Sequence, residues 1–256
     1  MASAQDIKPP LTLEGLATLF RQDVDDLPGD TVTDVNWKNN DTGLLWSNQE
    51  ICRYANQAQN EFCFRQPILD QDVTAAITQI TVVASTGVYT LSPKIVAIRR
   101  LKFVETVTGD EWIVDKRTTQ WMDMNRTDWD KEASPDEGVV EFYIEDTDTH
   151  QLQLYRVPEV AGTIHMTVDR LPSTTMSWAQ RHQNSPEIHE QHHLCLLDYM
   201  KYLAYKKRDT ETEDKTLAKS FLDSFDAMVG PRPSARLLRV RKQERNYPRR
   251  VKAQFF

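Results

Sequence analysis

Apolar residues recur at three- and four-residue steps along residues 46–66, the period of an α-helix, and the start of this helix is well marked. Ser47 is placed to cap the helix with its hydroxyl, and Glu50 is placed to bond the Ser47 amide in return, the arrangement of a capping box. Pro67 ends the segment. A stripe this one-sided has to pack against other helices of the chain. The residues of this apolar stripe are Ile51, Tyr54, Ala55, Ala58 and Phe62.

Further helical periods lie on both sides of the chain's middle. Residues 11–21 predict a short helix, and residues 187–229 predict two helices joined by a tight turn. A second capping box is expected at Thr210 and Glu213, and Gly230 followed by a proline is expected to end the last helix. The helices are expected to share one core. Its residues are Ile51, Tyr54, Ala58, Phe62, Leu196, Met200, Leu203, Leu217, Phe221 and Phe225.

From residue 68 to residue 172 the period changes to the alternation of β-strands. Runs rich in β-branched and aromatic residues are separated by turn signals, which predicts an antiparallel β module. Residues 112–129 hold three tryptophans among polar residues, and a short helix covering the sheet is expected there. The strand runs are 77–83, 88–91, 95–104, 139–144, 152–155 and 163–168.

The order of these segments predicts an α+β fold. Because the amphipathic helices before and after the strands can bury their apolar faces only against one another, we expect a helical bundle with an inserted antiparallel β module. The bundle is expected to comprise residues 1–67 and 180–230, the β module residues 68–179, and an extended C-terminal arm residues 231–256.

The C-terminal arm is basic, whereas the rest of the chain is acidic. Residues 231–256 carry nine Lys or Arg residues against one Glu, although the whole chain has a net charge of −7. The remaining residues therefore carry −15 and form a poor surface for nucleic acid. Three cysteines without paired spacing favour buried thiols over disulfides. No apolar run reaches membrane-spanning length, so we expect a soluble protein made in a cytoplasm.

Three functions fit the arm: a solvated tail, a segment that binds DNA phosphates, or a segment that docks on a partner protein. Docking is favoured because apolar and aromatic side chains, which phosphate binding does not need, lie among the arginines. Several prolines exclude one long helix, so the arm is expected to become ordered on binding. The docking residues are expected to be Arg232, Arg236, Leu237, Leu238, Arg239, Arg241, Arg245, Tyr247, Arg249, Arg250, Phe255 and Phe256.

One short motif matches a zinc-site pattern. His189, Glu190 and His193 fit His-Glu-x-x-His, in which two histidines on one helical face hold zinc and the glutamate acts as a base. No third ligand is recognisable, and the helix is the most apolar one in the chain. We therefore expect helix-start or interface histidines, with no metal, no cofactor and no catalytic residue. Incidental metal binding and a zinc hydrolase are the weaker alternatives.

Four segments occur together in an order that is found in one protein family. The first is Leu45-Trp-Ser-Asn-Gln-Glu-Ile51 followed by Arg53-Tyr54, Asn56, Ala58-Gln59 and Glu61. The others are Leu152-Gln-Leu-Tyr-Arg-Val-Pro-Glu159, residues 163–172, and Pro186-Glu-Ile-His189. In these segments the chain resembles the head-to-tail adaptor (connector, or head completion) proteins of tailed bacteriophages, in the form that has a β module inserted in a helical bundle. The resemblance covers nearly the whole chain before residue 230.

The resemblance implies a structural virion protein and not an enzyme. It implies a homo-oligomeric ring, expected to be a dodecamer, that is assembled in the host cytoplasm and sits at the head–tail junction between the portal protein and a downstream tail protein. Genomic DNA is expected to pass through the channel without sequence-specific binding, and no membrane is involved. The charge of −15 outside the arm fits either an ordinary solvated surface or, as a hypothesis, an acidic channel lining that repels DNA phosphates. The arm is expected to insert between portal subunits. The alternative function is a nucleic-acid-binding accessory protein that acts through the basic arm.

Overall fold

The computed structural model describes residues 11–27, 36–126, 129–130, 137–145, 150–208 and 213–237. The chain divides into two compact units. The helical unit combines Met1–Ile68 with Leu171–Arg232, and the β unit combines Leu69–Arg170 with Pro233–Phe256. The helices of the described residues are α1 (Leu13–Asp23), α2 (Asn48–Arg65), α3 (Ala75–Thr78), α4 (Thr119–Asn125), α5 (Cys195–Tyr205) and α6 (Lys215–Val229).

The start of α2 has the capping box that the sequence predicts. The Ser47 hydroxyl accepts a hydrogen bond from the Glu50 amide at 3.2 Å, and the Glu50 carboxylate accepts one from the Ser47 amide at 3.0 Å. α1 begins in a related way, since the Thr12 hydroxyl accepts a hydrogen bond from the Gly15 amide at 3.3 Å. These side chains satisfy amides that the first turn of a helix leaves without partners.

A buried charged network holds the segment before α2 against α1. The Arg21 guanidinium is 0% exposed, lies 5.0 Å from the centroid of the Trp37 ring, and binds the Asp26 carboxylate at 2.5 Å. It also donates to the Trp46 carbonyl at 2.8 Å and to the Asn48 side chain at 2.9 Å. The loop that leads into α2 is therefore positioned from within the core by one arginine.

α5 packs against α1, α2 and α6. Phe221 and Leu203 are half-buried, and Phe221 stacks on Tyr205 with the ring centroids 5.8 Å apart. Leu217 is 37% exposed, so the prediction that it lies in the core is wrong. Its neighbour Ala218 is buried instead, and it lies on the same face of α6 as the buried residues Phe225 and Val229. The other predicted core residues are buried: Ile51, Tyr54, Ala58, Phe62, Leu196, Met200 and Phe225.

The two C-terminal helices begin later than the sequence predicts. α6 begins at Lys215, where the Asp214 carboxylate accepts hydrogen bonds from the amides of Thr216 and Leu217, both at 2.9 Å. Asp214 is therefore the cap, and the predicted capping box at Thr210 and Glu213 is wrong; Thr210 lies outside the described residues. Before α5, the chain forms a 3₁₀ turn at Glu190–His192 where continuous α-helix was expected.

The β unit contains one large sheet and one short pair of strands. The order in the large sheet is β1-β10-β4-β5-β7-β8-β3, β2 also pairs with β10, and β6 pairs with β9. The longest ladder joins β4 and β10, and its inward side chains include Leu101, Phe103, Ile164 and Met166. The strands are β1 (Ile68–Gln71), β2 (Gln79–Val82), β3 (Val88–Thr90), β4 (Ile95–Glu105), β5 (Glu111–Lys116), β6 (Glu137–Gly138), β7 (Phe142–Ile144), β8 (Gln151–Tyr155), β9 (Val157–Pro158) and β10 (Gly162–Arg170).

The predicted α+β class is confirmed, with two corrections to the β module. β5 and β7 are parallel, as are β6 and β9, so the sheet is mixed and not purely antiparallel. Parallel neighbours need a crossover connection, and the connection from β5 to β7 contains α4. The helix predicted over residues 112–129 is confined to α4, because Trp112 lies in β5 and stacks on Phe103 with the ring centroids 4.9 Å apart.

Asp70 is a buried carboxylate in the β unit, with 3% of its surface exposed. It accepts hydrogen bonds from Arg170 Nε at 2.7 Å and from the Val73 amide at 2.8 Å. Burial acts to raise the pKa of Asp70, but hydrogen bonds from Thr74, Arg170 and the backbone more than offset that effect and lower the pKa to about 2.

Replacing Asp70 by asparagine is expected to destabilise the protein at neutral pH by about 2 kcal/mol, since one pKa unit corresponds to about 1.4 kcal/mol. The folded-state pKa lies below the ordinary value of 3.8, so the carboxylate contributes fully above about pH 5 and loses its contribution as the pH falls towards 2. Urea unfolding at several pH values measures this effect. Asp110→Asn at an exposed turn is the control and is expected to have little effect. An Asp70→Asn effect that is equal at all pH values would contradict the prediction.

Candidate functional site

The basic C-terminal segment leaves the helical unit beside the end of α2, where Arg65 joins three parts of the chain. Its guanidinium contacts Glu61 Oε1 at 3.0 Å, Asp226 Oδ1 at 2.5 Å and the Gly230 carbonyl at 2.5 Å. It also lies 4.8 Å from the centroid of the Phe225 ring. Burial acts to lower the pKa of Arg65, but the hydrogen bonds to Asp226 and Glu61 outweigh burial and raise it. The guanidinium therefore stays charged while largely enclosed.

Gly230 ends α6 in a backbone conformation that favours glycine. Its φ is +94°, in a region where side chains with a Cβ are strained, and its amide donates to the Asp226 carbonyl at 2.9 Å. The predicted glycine end of this helix is confirmed. Gln66 donates to the Val229 carbonyl at 3.0 Å, so two side chains at the end of α2 bond the last backbone groups of α6. The basic segment thus departs from a point held by hydrogen bonds.

Arg232 is the first basic residue of the segment, and its side chain lies against the end of α2. Its guanidinium lies 4.9 Å from the centroid of the Phe64 ring, and its Nε lies 3.6 Å from Glu61 Oε1. Its side chain is 65% exposed, whereas that of Arg65 is 5% exposed. We call the group formed by Glu61, Phe64, Arg65, Gln66, Asp226, Gly230 and Arg232 the arm anchor.

Most of the predicted docking residues lie beyond the described part of the chain. Arg236 is exposed, and Leu237 is 43% exposed. The predicted docking residues that lie outside the described residues are Leu238, Arg239, Arg241, Arg245, Tyr247, Arg249, Arg250, Phe255 and Phe256.

Comparison with known proteins identifies the family. A family model described as SU10 adaptor protein matches residues 12–252, nearly the whole chain. The chain belongs to the SU10 adaptor protein family. This is a phage adaptor family, so the predicted resemblance to phage adaptor proteins is confirmed at that level, and the chain is a phage structural protein. No curated protein matches the chain.

In this SU10 adaptor family member, His193 has both ring nitrogens engaged by the backbone. The Leu11 amide donates to Nδ1 at 3.0 Å, so Nε2 carries the proton and donates to the Ile188 carbonyl at 3.0 Å. Burial lowers the pKa of His193, which favours the neutral ring that these two hydrogen bonds require. His193 has no lone pair left for a metal ion, and its role is to tie the N-terminal side of α1 to the turn before α5.

The expected placement of His189 and His193 on one face of an α-helix is wrong. His189 precedes the 3₁₀ turn at Glu190–His192, and its Nδ1 accepts a hydrogen bond from the Gln191 amide at 3.3 Å. Within the described parts of the chain, no group of three or more His, Cys, Asp or Glu side chains could hold a metal ion. In the same parts, no helix is both long and apolar enough to cross a lipid bilayer.

The three cysteines, Cys52, Cys63 and Cys195, are buried free thiols, which confirms the prediction from their spacing. Burial raises the pKa of Cys195 to about 12, so its thiolate is a negligible species at neutral pH. Burial also raises the pKa of Cys52, so Cys52 and Cys195 lack the exposed, low-pKa setting of a reactive cysteine.

Sequence reasoning missed Arg65 and with it the arm anchor. The Glu61–Arg65 spacing of four residues was a local signal for an ion pair on one helical face. However, the Asp226 and Gly230 partners of Arg65 are 161 and 165 residues away in the sequence, so only the folded chain shows the cluster.

Proposed function

We propose that the chain forms a homo-oligomeric adaptor ring between the phage portal and the tail, extends the DNA channel, and provides the platform for tail attachment. The observation that carries the proposal is the family match over residues 12–252. The buried networks of the helical unit suit a mechanical role, because a platform has to hold its shape under load while its C-terminal segment reaches a partner.

The basic arm is the part that we propose to dock on the portal. Residues 231–256 combine nine basic residues with leucines and aromatic residues, a mixture that suits a groove with both carboxylates and apolar surface. The arm anchor holds the start of this segment through Arg65 and Gln66. A fixed starting point reduces the conformational entropy that the arm loses when it binds.

The acidic remainder of the chain supports the proposal that DNA passes without being retained. The residues outside 231–256 carry a net charge of −15, and carboxylates on a channel wall would repel the phosphates of the genome. A lumen found to be basic in the assembled ring would contradict this part of the proposal.

Deleting residues 233–256, which leaves Arg232 and the arm anchor in place, is expected to weaken portal binding at least tenfold without unfolding the protein. The reason is the loss of the charged and apolar docking groups. Binding of the purified chain to purified portal, measured by native mass spectrometry and by titration, tests the prediction. Circular dichroism verifies that the truncated chain is folded. Undiminished portal binding by the truncated chain would overturn the docking proposal.

A second variant separates protein docking from phosphate binding. Replacing Leu237, Leu238, Phe255 and Phe256 by serine keeps all the charges of the arm. If the arm docks on the portal, this variant loses affinity for the portal and keeps any retention on DNA. The charge of the arm also favours the alternative function, a nucleic-acid-binding accessory protein. That alternative would hold if the deletion abolished salt-dependent DNA retention and left portal binding unchanged.

A further inference from the structure

A small pocket of about 230 Å³ in the β unit is lined by residues of β4, β5 and the short strand pair β6–β9. Its walls come from three segments of the chain, residues 103–112, 137–140 and 157–161. Most of the lining side chains are apolar, and two are glutamates. We call this cavity the acidic pocket. Its lining includes Phe103, Trp112, Val139, Val160, Glu105 and Glu159.

Close packing and a hydrogen bond hold the walls of the acidic pocket in place. The Trp112 ring stacks on Phe103 with the ring centroids 4.9 Å apart, and Trp112 Nε1 donates to the Val140 carbonyl at 3.0 Å. Gly162 lets the Phe103 ring lie against the backbone of β10, because a Cβ at Gly162 would be 2.4 Å from Phe103 Cζ. The acidic pocket is therefore formed before anything binds to it, which reduces the entropy that binding costs.

Two valines leave apolar surface open to water in the acidic pocket. Val139 is 64% exposed and Val160 is 38% exposed, although both line the cavity. Covering this surface with another apolar side chain is favourable. Pockets that bind small molecules usually have volumes of about 300–1,000 Å³, and this one is smaller. It suits one side chain that protrudes from a peptide segment.

The walls of the acidic pocket carry only negative charge. The three wall segments contain five acidic residues and no Lys, Arg or His. Glu111 pairs with Lys102 at 2.7 Å, and the other four make no ion pair with any residue that the structure describes. These four are Glu105, Asp110, Glu137 and Glu159. A basic segment would therefore meet carboxylates that have no cation of their own, whereas the phosphates of a nucleic acid would be repelled.

The C-terminal part of the basic arm has the complementary chemistry. Tyr247 stands in the sequence between Arg245 on one side and Arg249 and Arg250 on the other, and all four lie outside the described residues. An aromatic ring fits the apolar walls, and guanidinium groups suit the carboxylates around them. Leu237, an earlier apolar residue of the arm, is 43% exposed and does not line the pocket. The occupant therefore has to come from further along the arm.

The arm is long enough to reach the acidic pocket of its own chain. Leu237, the last described residue of the arm, belongs to the β unit. Tyr247 follows it by ten residues, which span up to about 33–36 Å when extended. A compact unit of about 100 residues has a radius of gyration of only about 13 Å. Such a tether gives an effective concentration in the millimolar range, which favours the same chain over a second copy in a micromolar solution.

We propose that the acidic pocket of the free chain binds residues 245–250 of the same chain, with Tyr247 in the pocket and the flanking arginines on Glu105 and Glu159. The contact goes beyond the proposed function and requires no ring. It covers an aromatic side chain of the arm that would otherwise be available for non-specific contacts. In the proposed function, the portal then competes with the pocket for the arm.

A photoreactive residue in the arm of the full-length chain tests this contact. Tyr247 is replaced by p-benzoylphenylalanine, and a mixture of isotope-labelled and unlabelled chain is irradiated at micromolar concentration without portal. Mass spectrometry identifies the joined peptides and their isotopes. Position 247 is expected to be joined to residues 103–112, 137–140 or 157–161, with both peptides carrying the same isotope. Links between two copies would also give peptides of mixed isotope.

Two variants of the acidic pocket are expected to reduce these cross-links about tenfold, because each places a cation where the arginines of the arm would bind. They are Val139→Lys on the apolar wall and Glu159→Lys among the carboxylates. Val73→Lys is the control for the first, since Val73 is 83% exposed in the same unit and does not line the pocket. Asp223→Lys, at an exposed carboxylate of α6, is the control for the second. Circular dichroism verifies that all four variants are folded.

The pocket contact and the adaptor function can fail separately, since portal binding is measured in other samples. The contact is overturned if position 247 gives no cross-link to the three wall segments, or if both pocket variants leave the cross-links unchanged. Cross-links found mainly in peptides of mixed isotope would show that a second copy fills the pocket, which also overturns the contact within one chain. None of these results bears on portal binding, whose absence would remove the adaptor function alone.

Discussion

Replacing Arg21 by alanine is expected to lower the free energy of unfolding of the helical unit by about 3–5 kcal/mol, the range for removing one member of a buried ion pair. The Asp26 carboxylate, which is 4% exposed, would lose its cation, and burial already raises the pKa of Asp26. The Trp46 carbonyl and the Asn48 side chain would each lose a charged donor. Urea unfolding followed by tryptophan fluorescence measures the loss.

Arg53→Ala is the matched control on an exposed ion pair. The Arg53 side chain is 59% exposed and lies 3.9 Å from Glu50, so its removal is expected to cost less than about 1 kcal/mol. Arg21→Lys is expected to recover only part of the loss, because an ammonium lacks the planar fork that reaches Asp26, Trp46 and Asn48 together. Equal effects of Arg21→Ala and Arg53→Ala would refute the role given to burial.

Arg21 also shows that long-range partners are not predictable from the local sequence. Ser47 and Glu50 are three residues apart, and Gly230 precedes a proline, so both ends of helices could be predicted from local chemistry. Arg21 was only the last polar residue of a predicted short helix. Its partner Asn48 is 27 residues away, and no periodicity predicts that the arginine turns inward.

The errors in the helices and the sheet have the same origin. The predicted helix through His193 is interrupted at the turn where that ring bonds to Leu11, which is 182 residues away in the sequence. The β5–β7 pair is parallel, with a long connection that contains α4, whereas alternation of residues reports burial and not strand direction. Local patterns predicted which residues face a core, and long-range partners decided how the elements begin and pair.

The basic arm and the arm anchor differ in how much of them the sequence shows. The charge of the arm can be counted directly from residues 231–256, without any structure. The arm anchor cannot be found in this way, since Arg65 meets Asp226 and Gly230 only in the folded chain.

Replacing Arg65 by methionine is expected to destabilise the helical unit by about 3 kcal/mol. Hydrogen bonds of charged groups contribute about 1.5–3 kcal/mol each, and the Glu61 side chain, which is only 10% exposed, would lose its Arg65 partner. Methionine keeps an unbranched apolar chain at the same position, so the loss reports the guanidinium. Urea unfolding measures it.

Arg232→Met is the matched control in the same arm anchor. Arg232 faces the same Glu61 oxygen at 3.6 Å but is 65% exposed, so its replacement is expected to cost less than about 1 kcal/mol. At a temperature where both variants are folded, Arg65→Met is also expected to weaken portal binding, because the Gly230 carbonyl is released and the arm has to be ordered from a looser starting point. Two results would contradict this role of the buried guanidinium: equal destabilisation by Arg65→Met and Arg232→Met, or portal binding by Arg65→Met as tight as that of the wild-type chain. The docking of the arm would then depend on its own residues alone.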